Sequence, residues 1–222
     1  MPTSIEPLST NILSLMYFGD VVFALSGALL AGRKRMDIIG FVLIGTVTGI
    51  GGGTLRDLLL GRTVWWTQQP LELMLCVGVS LIAFFVIPAS VARRTWMRWA
   101  DALGLAAFAV VGCHVALSAH APPVVAIFMG MLTATGGGVI RDVLTNEKPM
   151  ITSGQLYATV ALVGAACYAC LHSLGFVEML AEALAFLTGF LLRAAAIIFN
   201  ISMGPPGEFI RVGTELAEDG KR

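Results

Sequence analysis

The sequence predicts an all-α membrane protein: seven transmembrane helices, arranged as two inverted three-helix repeats plus a seventh helix. Three observations lead there. The chain is 57% hydrophobic and 13% charged, with mean hydropathy +0.84, whereas soluble domains hold roughly a quarter of their residues as charges. Its apolar residues fall into seven blocks. An unusual motif, Gly-Gly-Gly-x-x-Arg-Asp, occurs twice, at Gly51–Asp57 and Gly136–Asp142.

The seven blocks run over 12–32, 38–60, 70–90, 100–119, 122–144, 154–173 and 177–200, each near the roughly 20 residues that cross a bilayer as a helix. The first follows a stretch, Met1 to Thr10, that has no Lys or Arg. It therefore reads as a span and not as the apolar part of a cleavable signal peptide. The second begins after Arg33-Lys34-Arg35, and the fourth follows Arg93, Arg94 and Arg98. The fifth opens at Pro122-Pro123, and Lys148 lies between the fifth and sixth. The predicted organisation is an extracytoplasmic N-terminus (1–11), a first repeat (12–96), a second, inverted repeat (97–174), a seventh helix (175–203) and a cytoplasmic tail (204–222). Connections this short leave no room for a soluble domain.

Basic residues near helix ends favour the cytoplasmic side. Alternate connections, with the C-terminal tail, hold Arg33, Lys34, Arg35, Arg93, Arg94, Arg98, Lys148, Arg211, Lys221 and Arg222. The opposite side holds Arg62 alone, while Arg56, Arg141 and Arg193 lie inside spans. The asymmetry predicts the N-terminus outside, the C-terminus in the cytoplasm and an odd number of crossings. Formal net charge is zero, which points to no nucleic-acid partner. Cys76, Cys113, Cys167 and Cys170 all fall in apolar segments, and Cys167-x-x-Cys170 reads as packing.

Shifting the chain by 85 positions aligns Gly19 with Gly104, Phe23 with Phe108, Gly27 with Gly112, Gly45 with Gly130 and Thr48 with Thr133. The same shift superimposes Gly51-Gly52-Gly53 on Gly136-Gly137-Gly138, Arg56 on Arg141 and Asp57 on Asp142, without a gap. A repeat of three helices, an odd number, enters the membrane from the side opposite the first. The copies are therefore expected about a pseudo-two-fold axis in the membrane plane, an arrangement that builds transport pathways.

The motif is costly in a membrane. A helical glycine costs about 1 kcal/mol relative to alanine, and an arginine or aspartate in hydrocarbon about 3 kcal/mol. Single glycines at Gly27, Gly45, Gly112 and Gly130 suit close helix crossing. The triplets are read as breaks or bends facing a pathway, with close crossing as the alternative. Arg56, Asp57, Arg141 and Asp142 must face the interior and be paired. Sequence neighbours point about 100° apart, so the expected pairs are Arg56 with Asp142 and Arg141 with Asp57, across the pseudo-two-fold. A pairing that only holds the helices together is the alternative. Thr48 and Thr133, one turn earlier, either line a pore or bond back to their own helix. Asp20 is read as a cation ligand or an arginine partner, Arg193 as a second pathway candidate or, in preference, an anchor of the seventh helix, Asp101 as facing water, and His114 as a hydrogen-bonded interior histidine in preference to a proton relay. No nucleophile with a base and no metal-ligand cluster is evident, so no enzyme is predicted.

With Phe23–Gly27 (F-A-L-S-G), Asp101–Leu105 (D-A-L-G-L) and Leu156–Thr159 (L-Y-A-T), these residues resemble the prokaryotic trimeric intracellular cation (TRIC) channel family, also labelled a glycine-transporter or UPF0126 family. The resemblance spans roughly Gly19 to Asn200. It implies a homotrimer in the bacterial inner membrane with one pore per subunit, conducting K+ and Na+. The helices bearing Gly51–Gly53 and Gly136–Gly138 would line that pore. It further implies no cofactor beyond the permeating ions and bound membrane lipid. Arg62-Thr63-Val64-Trp65 lacks a proline that family members often carry after the first motif, while Lys148-Pro149 keeps it in the second copy. A secondary transporter of a small amino acid such as glycine is the other function that inverted repeats suit.

Overall fold

Each apolar block becomes a helix because lipid-compatible backbone must satisfy its hydrogen bonds internally. The structure, a computed structural model, describes residues 9–87, 94–202 and 211–212. The orientation signals at Met1–Leu8, Arg93, Lys221 and Arg222 lie outside the described residues. The helices are α1 (Thr10–Arg33), α2 (Ile38–Leu59), α3 (Trp65–Gln68), α4 (Leu71–Val86), α5 (Arg94–Ser118), α6 (Pro123–Leu144), α7 (Ala158–Ser173) and α8 (Glu178–Ile198). Five of these are long and apolar enough to cross a membrane, and α4 and α7 are apolar but shorter. Further small elements were not foreseen: the single turn α3, a 3-10 turn over Met150–Thr152, and a pair of two-residue strands, β1 (Ile201–Ser202) and β2 (Arg211–Val212), paired antiparallel.

Local chemistry sets the boundaries. Ser9 and Asp37 cap α1 and α2 by accepting from the N–H groups of Ile12 and Gly40, and Pro123 opens α6, where its missing N–H costs nothing. The chain leaves α1 through Arg35 at φ 52° and α5 through His120 at φ 58°, repeat counterparts in the same left-handed turn. Gly61 (φ 64°) and Asn146 (φ 52°) close α2 and α6 in the same way. Val64 (φ −60°, ψ 122°) also matches its counterpart Pro149 (φ −56°, ψ 137°). The turn thus keeps its shape without the proline.

Packing between the halves is reciprocal. The rings of Phe23 and Phe108, repeat counterparts on α1 and α5, stack at 5.4 Å between centroids. Phe108 lies over Gly19 and Phe23 lies over Gly104. On α1, Gly27 lets α2 approach to Gly45; on α5, Gly112 does the same for α6 at Gly130. These four single glycines therefore serve close crossing, as their spacing suggested. Helix α5 is central, with 83% of its most apolar stretch buried, against 33% for α8.

The peripheral helix α8 is fastened by Arg193, which is 1% exposed. Its guanidinium donates to the Leu156 carbonyl at 3.0 Å and to Gln155 Oε1 at 3.1 Å, and lies 5.0 Å from the centre of the Tyr157 ring. This is the anchoring role the sequence favoured. Arg193→Ala is expected to cost about 1.5–3 kcal/mol, the range for hydrogen bonds to charged groups, read as a lower thermal-unfolding midpoint in detergent. An unchanged midpoint contradicts the anchoring role.

At the end of the bundle that holds Arg33, Lys34, Arg94, Arg98 and Lys148, Lys34 Nζ meets Glu147 Oε1 at 2.8 Å. The hydrogen bond from Lys34 holds the Glu147 carboxyl below its ordinary value. The contact therefore persists above the usual carboxylate range and is lost as pH falls through the lowered value.

Candidate functional site

Both motif helices run unbroken through their glycines: α2 spans Ile38–Leu59 and α6 spans Pro123–Leu144. The expected break is therefore corrected. The first two glycines of each triplet serve contact instead. Gly52 lies against the Thr133 carbonyl and Gly137 against the Thr48 carbonyl, so α2 and α6 cross backbone to backbone at counterpart positions. Gly51 and Gly136 flank this crossing, each within reach of the other helix's glycine Cα. With no Cβ in the way the helices gain close packing, the usual return for small residues in membranes. Thr48 and Thr133 donate to the carbonyls of Ile44 and Met129 in their own helices.

The ion pairs are also not as expected. Arg56 Nε donates to Asp57 Oδ1 at 2.9 Å, and Arg141 Nε donates to Asp142 Oδ1 at 2.9 Å. The pairs form within each motif and not across the halves. The 100° offset between neighbours is overcome because each carboxylate is held toward the turn beyond the helix. Asp57 Oδ2 accepts from the Trp65 N–H at 3.1 Å and Asp142 Oδ2 from the Met150 N–H at 3.2 Å, both eight residues on. A flexible arginine then folds back onto a carboxylate already fixed in place.

Beyond this shared core the two sites differ. Arg141, 0% exposed, also donates from Nη1 to Asp101 Oδ1 at 2.7 Å and to Ser26 Oγ at 2.6 Å. Tyr157 at the start of α7 reaches Asp101 Oδ1 at 3.4 Å, and its hydroxyl fills the space left by Gly138. One guanidinium thus ties α1, α5 and α6 together, with α7 and, through Arg193 on the Tyr157 ring, α8 joined to it. Asp101, expected to face water, is fully buried because Arg141 needs its charge.

In the first half the 85-residue shift places Glu72 where the second half has Tyr157, and Met16 where it has Asp101. Without the phenol, Gly53 borders open space instead of a hydroxyl. A Cβ added there would meet only Arg56 Nη2, at 3.7 Å. A crevice results, lined by Asp20, Gly49, Gly53, Arg56, Asp57 and Glu72 among others. Asp20 is 2% exposed, and its Oδ2, like Arg56 Nη1, has no hydrogen-bond partner among the described residues. Three carboxylates therefore face one guanidinium. Sequence reading singled out Asp20 but missed Glu72, Ser26 and Tyr157. Their roles follow from helix packing, and only the 85-residue alignment of Glu72 with Tyr157 offered a signal.

His114 on α5 meets Tyr168 at 2.7 Å and Glu178 at 3.0 Å through Nδ1, the interior hydrogen-bonded state expected of it. With Glu182 it forms the one group among the described residues with a geometry that could hold a metal ion. The spacing had given no hint of it.

Comparison with known proteins gives a consistent set of relatives. The family described as Glycine transporter matches residues 13–88 and again 98–173, the same two stretches that the 85-residue shift superimposes. The UPF0126 inner membrane protein YadS of Escherichia coli (strain K12) is 37% identical over 188 residues, 83% of this chain and 91% of that protein. Among solved structures, the TRIC trimeric intracellular cation channel orthologue from Rhodobacter sphaeroides is 45% identical, with a TM-score of 0.82 over 86% of this chain and 100% of that one. A structure described as the basis for conductance through TRIC cation channels is 34% identical, with a TM-score of 0.78 over 86% of this chain and 95% of that one.

Proposed function

The chain belongs to the glycine-transporter (UPF0126) family, the family of the prokaryotic TRIC channels, and on that premise we propose that it is a cation channel of the bacterial inner membrane. The observation that carries the proposal is the 45% identity with the Rhodobacter sphaeroides TRIC orthologue over the whole of that chain. The site chemistry supports it: a crevice with three carboxylates and one guanidinium concentrates cations and repels anions.

In this reading α1, α2 and α4–α8 cross the membrane. The two halves, 12–96 and 97–174, are inverted about an axis through the Phe23–Phe108 stack and the α2–α6 crossing. Contacts that pair each residue with its counterpart's partner are what a two-fold relation demands. The end that holds Arg33, Lys34, Arg94, Arg98 and Lys148 is cytoplasmic by the positive-inside bias, which puts the N-terminus outside and the C-terminus inside. Three copies assemble, each with its own pore for K+ and Na+, beside bound membrane lipid. The pathway enters at Asp20 and Glu72, passes Arg56 and Asp57, and follows α2 and α6 past Thr48, Gly51–Gly53, Thr133 and Gly136–Gly138 to Arg141 and Asp142. Arg56 stands as a removable positive barrier, whereas Arg141 is locked in its network.

A carrier for a small amino acid is the second reading, and the family description favours it. The two are separated by purified protein in planar bilayers and in liposomes. Discrete K+ current steps without saturable glycine counter-flow support the channel. Saturable glycine uptake without unitary currents overturns it.

A further inference from the structure

We propose a divalent transition-metal site at the end of the bundle opposite the basic cluster, formed by His114, Glu178 and Glu182 and best suited to Zn2+. It goes beyond the channel reading and stands independently of it.

The three residues come from two helices. Glu178 and Glu182 are one turn apart on α8 and so share a face, and His114 approaches from α5. One potential ligand atom from each lies within 4.8 Å of the other two, so a small shift brings all three to a common ion. Facing helices that supply inward carboxylates and a histidine are a common way for bundles to build metal sites.

A second observation points to a ligand. Glu182 is 5% exposed, and its Oε1 is buried with no hydrogen-bond partner among the described residues. A buried carboxylate oxygen left without a partner is costly, and an ion between it and His114 would satisfy it. Access is not obstructed: the Glu178 side chain is 40% exposed, and it begins α8.

The donor set selects the ion. One imidazole nitrogen and two carboxylates leave a fourth position for water, which suits tetrahedral Zn2+. Ca2+ seeks six to eight oxygens and Mg2+ a near-octahedral oxygen shell, and three side chains that include a histidine meet neither need. His114 binds as the neutral ring, with its proton on Nε2 and the Nδ1 lone pair toward the metal. Tyr168, whose hydroxyl already donates to Glu178 Oε1 at 2.6 Å, then orients that ligand from outside the coordination shell.

The test uses untagged full-length protein purified in detergent and titrated with Co2+ as a spectroscopic stand-in, followed by competition with Zn2+. The expected result is one Co2+ per chain, with visible absorption of low-symmetry four-coordinate character that Zn2+ removes. His114→Gln, Glu182→Gln and Glu178→Gln should each weaken binding at least about tenfold. Tyr168→Phe, which breaks the hydrogen bonds but removes no ligand, should keep one ion per chain. The exposed position of Glu178 makes E178Q the variant least exposed to folding defects. Absence of stoichiometric binding by the wild type overturns the proposal. So does binding that survives the three ligand substitutions, or that is lost only in Y168F.

Discussion

Arg141→Met is expected to destabilise the protein by about 3–5 kcal/mol, the range for removing one partner of a buried ion pair. The guanidinium is 0% exposed and faces Asp101 at 2.7 Å and Asp142 at 2.9 Å. Its loss would leave the carboxylates of Asp101 and Asp142 inside the bundle without the guanidinium that contacts both. It would also remove the group that joins Ser26 on α1 to α5 and α6. The measurement is the thermal-unfolding midpoint and folded yield in detergent. Adding Asp101→Asn to Arg141→Met should recover part of the loss, because one of the two orphaned charges is then gone. A single variant as stable as the wild type, or a double variant worse than the single, would count against this network.

Gly52→Ala and Gly137→Ala form the second large effect. A Cβ at either position runs into a backbone carbonyl of the other helix, Thr133 for Gly52 and Thr48 for Gly137. Backbone cannot move aside as a flexible side chain can, so about 3 kcal/mol is expected, the upper end of the usual overpacking range. Gly53→Ala is the control: its Cβ meets only Arg56 Nη2, at 3.7 Å. All three changes gain the same helix propensity, about 1 kcal/mol, so the difference between positions isolates the crossing. Unfolding midpoints should fall for Gly52→Ala and Gly137→Ala and hold or rise for Gly53→Ala. Equal midpoints would mean that the helices do not meet there.

Most of the architecture was legible because membrane insertion leaves few choices. Long apolar runs must be helices, and a gapless match at a shift of 85 positions, through Gly19, Phe23, Gly52 and Arg56, marks a duplication. What the sequence did not yield depends on side-chain reach and on neighbours far along the chain. The Cβ atoms of Arg56 and Asp57 do point about 100° apart. The N–H groups of Trp65 and of Met150, both beyond the helix ends, turn each aspartate toward its arginine. Glycine triplets weaken a helix in isolation, but α2 and α6 brace each other where they would bend, so packing overrides propensity. Asp101 looked water-facing from its place near a basic connection, and only the fold shows that it is Arg141's partner. The difference between the two halves, an open crevice at Glu72 and a filled one at Tyr157, comes from a few repeat positions, Glu72 against Tyr157, Met16 against Asp101 and Asp20 against Leu105.

Single-channel recording of Arg56→Gln beside the wild type in planar bilayers tests the cation-pathway reading most directly. Glutamine retains a donor to Asp57 and removes the positive charge from a crevice otherwise lined by Asp20, Asp57 and Glu72. The expected result is K+ current steps in both proteins, larger or more frequent in the variant. Steps identical in the two proteins, or no steps in either, would contradict a cation pathway past Arg56.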